Sequence, residues 1–294
     1  MTVAPSAPLV SIGLPVRNAG SRVTDVVKSV LAQEYERLEL VISDNASTDD
    51  TPEVCRALAA ADHRIVYHRH DENIGLLNNF IHTIHLATGT FFRWIGDDDR
   101  LEPTFIPRCL ERFQADDRLM LVTTGVDYTG PDGVAQHAAY HGTALASDDP
   151  VDRFTELLRL LNEGYLLIDP LYAMLRRAPV AAIPRRNMLG EDQVFAAKLA
   201  LAGPWGHVPE VLAHRAWKQQ RLSAIARRLD VPVWHTRVAT VMQCRETLRA
   251  VRTAGLSGQQ RRRARAAVAH LYLRRHRATL TRRGRRLARL ATGR

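Results

Sequence analysis

The chain opens with short apolar runs that alternate with longer amphipathic ones. Residues 9–14 are apolar and β-branched, too few for a stable helix, and Pro15 closes the run; they predict a strand. Over residues 21–33 the period changes. Val23, Val26, Val27, Val30 and Leu31 recur at helical intervals and share a face. Residues 38–43 predict a second strand. Residues 51–61 predict a second helix, with Thr51 as N-cap and Pro52 at the first helical position. A strand over 65–69, a helix over 76–87 and a strand over 91–95 complete the series. Strands and helices alternating at this spacing predict an α/β fold, a Rossmann-like, mostly parallel sheet flanked by helices. Such sheets bind ligands beyond the carboxyl ends of their strands. Chemistry is therefore expected in the loops after Leu14, Ser43, Arg69 and Ile95.

Past residue 100 the pattern weakens. It predicts a helix over 102–113, a strand over 119–126 and an amphipathic helix over 150–162. Residues 127–150 are rich in Gly, Asp, His and Ser without a period and read as a loop region. Residues 166–175 read as extended. A helix over 191–201 is stopped by Gly203-Pro204. From Leu222 onward the chain reads as mostly helical, with Arg-rich segments over 238–251 and 261–275.

Charge divides the chain near the same point. The net charge is +10, but residues 1–220 carry 21 basic and 29 acidic side chains, and residues 221–294 carry 20 and 2. The larger part is thus −8 and the C-terminal part +18. A uniformly basic nucleic-acid binder is disfavoured, because most of the molecule would repel a phosphate backbone. At 46% apolar residues the chain can bury a sizeable core. No uncharged apolar run reaches the ~18 residues of a spanning helix. Residues 1–15 lack the basic region of a secretory signal. Cys55, Cys109 and Cys244 are odd in number and far apart, which fits small buried hydrophobes in a reducing cytoplasm.

Each of the four loops carries polar residues with more than one reading. The first is Pro15-Val16-Arg17-Asn18, ordinary for a strand end. The second, Ser43 to Thr51, suits a turn into a helix; alternatively Asp44 accepts a hydrogen bond from a nucleobase imide N–H. The third holds Asn73 and Gly75, followed by Asn79 on the next helix, and Asn73 also reads as a turn residue. The fourth is Gly96-Asp97-Asp98-Asp99-Arg100. Three adjacent carboxylates repel one another, and a divalent cation with oxygen ligands offsets that repulsion. The plain alternative is a solvated acidic turn capping the next helix.

Together these loops resemble the family 2 glycosyltransferases of the A-type (GT-A) fold. The resemblance covers about residues 9–102 and resumes near 191. It is carried by Val-Ser-Ile-x-Leu-Pro-Val-x-Asn from Val10 to Asn18 and Ser-Asp-Asn-Ala-Ser-Thr-Asp from Ser43 to Asp49. Asn-Ile-Gly-x-x-x-Asn from Asn73 to Asn79 and the run Asp97 to Asp99 complete it. The family often has Asp-x-Asp-Asp in the last position, and Gly96 stands where its first Asp would be.

The resemblance implies a GT-A catalytic domain over residues 1–220, with a nucleotide-sugar half over about 1–100 and an acceptor half over about 101–220. Residues 221–294 form an Arg-rich helical extension. It implies a nucleotide-sugar site from Pro15, Val16, Arg17, Asn18, Asp44, Asn73, Gly75, Asn79, Asp97 and Asp98. By position relative to the strand, Asp98 and Asp99 are the expected ligands of Mg2+ or Mn2+. In inverting members a carboxylate at a helix start is the general base. Asp192, with Glu191 beside it, fits that position; both also read as acids favoured by a helix dipole. Lys218 and Arg221 fall where members carry a basic loop near the diphosphate, although Lys218 stands where many have a histidine.

The implied activity is metal-dependent, inverting transfer of a sugar from a nucleoside diphosphate sugar, UDP- or dTDP-linked, to an acceptor hydroxyl. Cell-envelope polysaccharide or glycolipid synthesis is the expected setting. The basic segment 261–294 reads either as a solvated face or as a contact with anionic lipid headgroups, with Leu271, Tyr272, Leu273, Leu287 and Leu290 inserting. The second reading places the protein at the inner face of the plasma membrane beside a lipid-linked acceptor. Nucleic acid is not an expected partner. One rival is a sugar-1-phosphate nucleotidyltransferase, but residues 15–22 contain only Gly20 where such enzymes have a Gly-rich loop. The other is a non-catalytic nucleotide-binding module, which gives Asp97–Asp99 and Glu191-Asp192 no joint purpose.

Overall fold

The computed structural model describes residues 7–163, 168–216 and 220–292, with side chains described as far as Arg275. The first half alternates as β1 (Val10–Val16), α1 (Arg22–Leu31), β2 (Leu38–Asp44), α2 (Thr51–Ala61), β3 (Ile65–Arg69), α3 (Leu76–Leu86) and β4 (Phe91–Trp94). β1 pairs in parallel with both β2 and β4, and β2 with β3. This is the parallel half-sheet that the apolar runs predict. β1 continues through Pro15 to Val16 rather than stopping at Leu14. Its pairing with β4 ends at Gly13, so no neighbour needs the N–H that Pro15 lacks. Thr51 is not the N-cap of α2, which is Asp50. The buried Thr51 hydroxyl instead accepts the N–H groups of Ala19 (2.9 Å) and Gly20 (2.8 Å), tying the first loop to the second.

The second half is β5 (Arg100–Leu101), α4 (Phe105–Ala115), β6 (Leu121–Thr129), β7 (Ala135–Gln136), α5 (Pro150–Glu163), β8 (Met174–Arg176) and α6 (Arg177–Ala181). It ends with α7 (Glu191–Ala202), β9 (Trp205–Ala216), α8 (Leu222–Arg228), α9 (His235–Thr253) and α10 (Gly258–Thr292). The strands join one nine-stranded sheet in the order β3-β2-β1-β4-β8-β6-β9-β5, with β7 beside β6. β8 runs antiparallel to β4 and β6, whereas β9 runs parallel to β6. The apolar pattern does not reveal β9. Its register against β6 shifts on both sides of Gly125, around the exposed Pro209 and Glu210, and that irregularity removes the period of two.

Residues 127–150 are more ordered than a loop. They contain β7 and a 3-10 turn at Ala144–Ala146, and Tyr140 and Leu145 are buried in the core. The expected extended stretch 166–175 is a 3-10 turn at Pro170–Tyr172 and then β8, its first two residues lying outside the described ones.

The core has one layer on each face of the sheet. One packs α1, α2 and α4 against β1 and β2; the other packs α5, α7, α9 and α10 behind β4 and β8. Cys55 and Cys109 are fully buried and Cys244 half-buried, all as free thiols, and burial pushes Cys55 up to about 12. The basic C-terminal part is not an appendage. Val251, Leu256, Ala264, Val268 and Leu271 belong to the second core layer. Arg275 donates to the Leu161 carbonyl (3.3 Å) and to Gln193 Oε1 (3.0 Å), so α10 braces the start of α7.

Candidate active site

A cleft of about 1150 Å³ opens at the carboxyl ends of β1, β2, β3 and β4 and is closed on the far side by α7, β9 and the Asp169–Tyr172 turn. Pro15, Val16 and Arg17 form its floor at the end of β1. Asn18 does not line it. With φ at 51°, Asn18 donates its N–H to Ser47 Oγ (2.9 Å) and accepts the Thr48 N–H (2.9 Å), so it staples the first two loops.

Asp44 departs from expectation. It is fully buried, outside the cleft lining. Its carboxylate accepts the Tyr67 hydroxyl (2.8 Å) and the Ser47 N–H (2.9 Å), and lies 3.7 Å from Arg69. These internal partners occupy the carboxylate here, and the next residue, Asn45, lines the cleft. Asn45 and Asn73 clasp each other: Asn45 donates to Asn73 Oδ1 (2.7 Å) and accepts the Ile74 N–H (2.8 Å). Asn73 and Gly75 both line the cleft. Asn79 also lines it, but its buried amide donates to the carbonyls of Ser43 (2.9 Å) and Val16 (3.3 Å), cross-linking the ends of β1 and β2.

The three adjacent carboxylates have three fates. Asp97 lines the cleft and pairs with Arg22 at 2.8 Å. Asp98 lines the cleft. Asp99 turns inward, 3% exposed, and accepts the Gly96 N–H (2.9 Å) and Arg215 Nε (3.1 and 3.2 Å). A side chain at position 96 would place a Cβ 3.0 Å from the Asp99 oxygen, so the glycine permits this inward fold. Beneath lies Arg93, fully buried over the Phe105 ring; burial lowers it to about 10, partly opposed by the Asp99 charge. The expected ligand pair Asp98/Asp99 is therefore corrected. Asp98 faces the cleft with Asp97 beside it, while Asp99 is committed to Arg215. One or two carboxylates beside space for phosphate oxygens fit a hard cation such as Mg2+ or Mn2+.

Opposite stands α7. Its N-cap, Gly190, has φ +72°, and a Cβ there would lie 1.8 Å from the Gln243 side chain; glycine is favoured at this helix start on both counts. The two acids that follow diverge. Asp192 opens into the cleft and is exposed there, although the cleft walls crowd around it and thin its hydration. That desolvation raises its pKa, aided by the Glu191 and Asp169 charges and opposed by the Gln193 N–H. Glu191 is buried outside the lining and accepts from Nε and Nη2 of Arg185 (2.8 and 2.5 Å), whose guanidinium lies 4.2 Å from the Phe195 ring centroid. As a catalytic residue Glu191 is corrected to an anchor for the helix start.

Two carboxylate sites thus face each other across one cleft at the strand ends, and residues 11–183 match glycosyl transferase family 2. The chain belongs to that family. Its fold is the GT-A fold. The structure of S. aureus TarS 1–349 in complex with UDP-GlcNAc aligns with a TM-score of 0.65 at 12% identity, covering 90% of this chain and 72% of that one. The mannosyltransferase PcManGT of Pyrobaculum calidifontis, in complex with GDP-Man and Mn2+, gives 0.54 at 15% identity, over 91% and 86%. Glycosyltransferase GlyG of Streptococcus pneumoniae is 25% identical over 125 residues, 42% of each chain. Chondroitin synthase of Escherichia coli is 33% identical over 118 residues, 40% of this chain and 17% of that one. The match thus spans less than half the length of these curated relatives.

Other residues of this family 2 member fall less simply. Arg221 is the N-cap of α8 and does not line the cleft, and Lys218 lies outside the described residues. Arg227 and Arg228, nearly two turns further along α8, do line it. The sequence also gives no hint of the polar wall built by Arg215. Its guanidinium bonds Asp99 and Asp169, Asp169 accepts the Tyr128 hydroxyl (3.0 Å), and the Tyr172 ring centroid lies 3.5 Å from the guanidinium carbon. Desolvation works against the charged form of Arg215, but Tyr172, Asp169 and Asp99 outweigh it and raise its pKa well above the ordinary value.

Proposed function

We propose that this chain transfers a sugar from a nucleoside diphosphate sugar to an acceptor hydroxyl with inversion at the anomeric carbon. The observation that carries the reading is the single cleft in which Asp98 and Asp192 face each other across the carboxyl ends of a parallel sheet. A neutral hydroxyl is a poor nucleophile, so Asp192 takes its proton as attack proceeds. One in-line displacement at a carbon of oxocarbenium character inverts the configuration. Negative charge grows on the departing diphosphate, and the cleft wall meets it with Arg227 and Arg228. Asp98, with Asp97 alongside, would hold Mg2+ or Mn2+, which supplies Lewis-acid stabilisation to that diphosphate. The ligands of the two structural relatives, UDP-GlcNAc and GDP-Man with Mn2+, support a nucleotide-sugar donor. The chondroitin synthase relative supports polysaccharide synthesis as the setting, with a growing chain or a lipid-linked sugar as acceptor.

A panel of UDP-, dTDP- and GDP-sugars tested by thermal shift names the donor. One class is expected to stabilise the protein with Mn2+, and Asp98→Ala to lose that effect. No response to any donor contradicts the proposed function.

The basic end is proposed to hold the enzyme at an anionic membrane surface. No helix among the described residues is long and apolar enough to cross a membrane. The structure narrows the contact: Leu271 is buried and Tyr272 packs on the core beside Thr247, so neither inserts, whereas Leu273 is 59% exposed. The side chains of Leu287 and Leu290 lie outside the described ones. Removing residues 276–294 keeps every core residue from Val251 to Leu271 and deletes seven arginines. The full chain is expected to sediment with phosphatidylserine vesicles and not with neutral ones, and the truncation with neither. Equal sedimentation of both forms with the anionic vesicles rejects the membrane role.

A further inference from the structure

Outside the cleft, three imidazoles meet at the edge of the sheet. His68 lies on β3, His70 just beyond its end, and His82 on α3. Their ring centroids stand 4.8, 4.7 and 4.4 Å apart. One ligand nitrogen from each lies within 4.8 Å of the others, and all three side chains are partly open to solvent. Among the described residues no other group of His, Cys, Asp or Glu converges in this way.

Such a triangle is a poor apolar contact and a poor home for charge. A proton on one ring repels a proton on the next. Burial, reinforced by the neighbouring imidazoles, lowers the pKa of His70 and of His82. Neutral imidazole is the form that ligates metal. The second layer is also built. Ser43 Oγ lies 3.1 Å from His70 Nε2 and 3.3 Å from His82 Nδ1, and donates to Asn79 Oδ1 at 2.7 Å. A hydroxyl in that place orients both rings and fixes which nitrogen is left for a ligand. Imidazole nitrogen favours Zn2+, Ni2+ or Cu2+ over the hard cations suited to the acidic loop. Zinc bonds to nitrogen are about 2.0–2.1 Å, so small side-chain rotations would close the triangle on the ion.

We propose that His68, His70 and His82 form a binding site for one transition-metal ion, Zn2+ foremost, separate from the site at Asp98. Three protein ligands and a solvent-facing side give the open tetrahedral arrangement such ions accept. The ion would join β3 to α3. Its second layer runs directly into the nucleotide side of the cleft: Ser43 holds Asn79, and Asn79 holds the end of β1. The role is structural, a clamp that stiffens the donor loops from behind.

The test uses the full-length chain without a histidine tag, freed of metal by chelation. Titration calorimetry with Zn2+ and the visible spectrum of bound Co2+ are the readouts. Wild type and Asp98→Ala are each expected to take up one Zn2+ at this site, with a tetrahedral Co2+ spectrum and a raised Tm. His82→Gln and the partly exposed His68→Gln should each weaken binding at least about tenfold, since even second-layer partners cost that much. The triple Gln variant should lose the spectrum. If it does not fold, the two single variants, checked by circular dichroism, decide. Absence of Zn2+ binding by wild type, or unchanged affinity in both folded single variants, overturns the proposal.

Discussion

Asp192→Asn is expected to bind donor normally and to lose transfer by about 10²- to 10⁴-fold, the usual contribution of a positioned general base. The two carboxamide atoms replace the carboxylate without changing its volume, so the cleft keeps its shape. The pH profile gives a second signature. A base works when ionised, and desolvation raises the Asp192 pKa above the ordinary carboxylate value. Activity should therefore rise with pH through an acid limb lying above that value, and the limb should vanish with the asparagine. Stability carries the opposite sign. With its folded pKa raised, Asp192 takes up a proton more readily in the folded than in the unfolded chain. Ionised Asp192 thus costs stability at neutral pH, a cost relieved as pH falls through the raised pKa. Asp192→Asn should melt no lower than wild type at pH 7. Normal turnover by the variant would remove Asp192 from the mechanism.

Arg215→Ala is expected to cost about 3–5 kcal/mol of folding free energy, measured by urea denaturation, because it strands buried charge. Asp99 is 1% exposed and Asp169 17% at the side chain, and both bond this one guanidinium. Its removal leaves two carboxylates facing each other. It also removes the cation from the Tyr172 ring. Adding Asp99→Asn to Arg215→Ala should return part of the loss, since the amide carries no charge. Arg215→Lys should fall between, keeping the charge without the planar fork that serves two acids. An Arg215→Ala protein as stable as wild type would show that water or another cation compensates the pair, and the wall would lose its structural role.

The nucleotide half was legible for a definite reason. Parallel strands buried on both faces are unbroken apolar runs, and the helices between them keep a 3.6-residue period, so α2 and β3 match their predicted ranges residue for residue. Even there the fine detail at Pro15 and Thr51 depended on neighbours. β9 was not legible, because a bulged strand beside another bulged strand has no simple period. The acidic loop was legible as a place and not as a set of ligands. Asp97, Asp98 and Asp99 are chemically alike, and what separates them is Arg22 on one side and Arg215, 116 residues away, on the other. The same holds for Glu191 and Asp192, parted by Arg185.

By itself, then, the sequence determined the alternation of strands and helices, the strand ends at which polar loops gather, and the presence of an acidic pair at the start of α7. Those features are local: they depend on periodicity, on caps and on residue types within a few positions. Only the tertiary structure decided which carboxylates look into the cleft, that Asp44 is sealed by Tyr67, and that the basic C-terminal helices share the core. Orientation of a charged side chain is set by the partner that offsets its desolvation. Here those partners arrive from distant parts of the chain, where neither composition nor period records them.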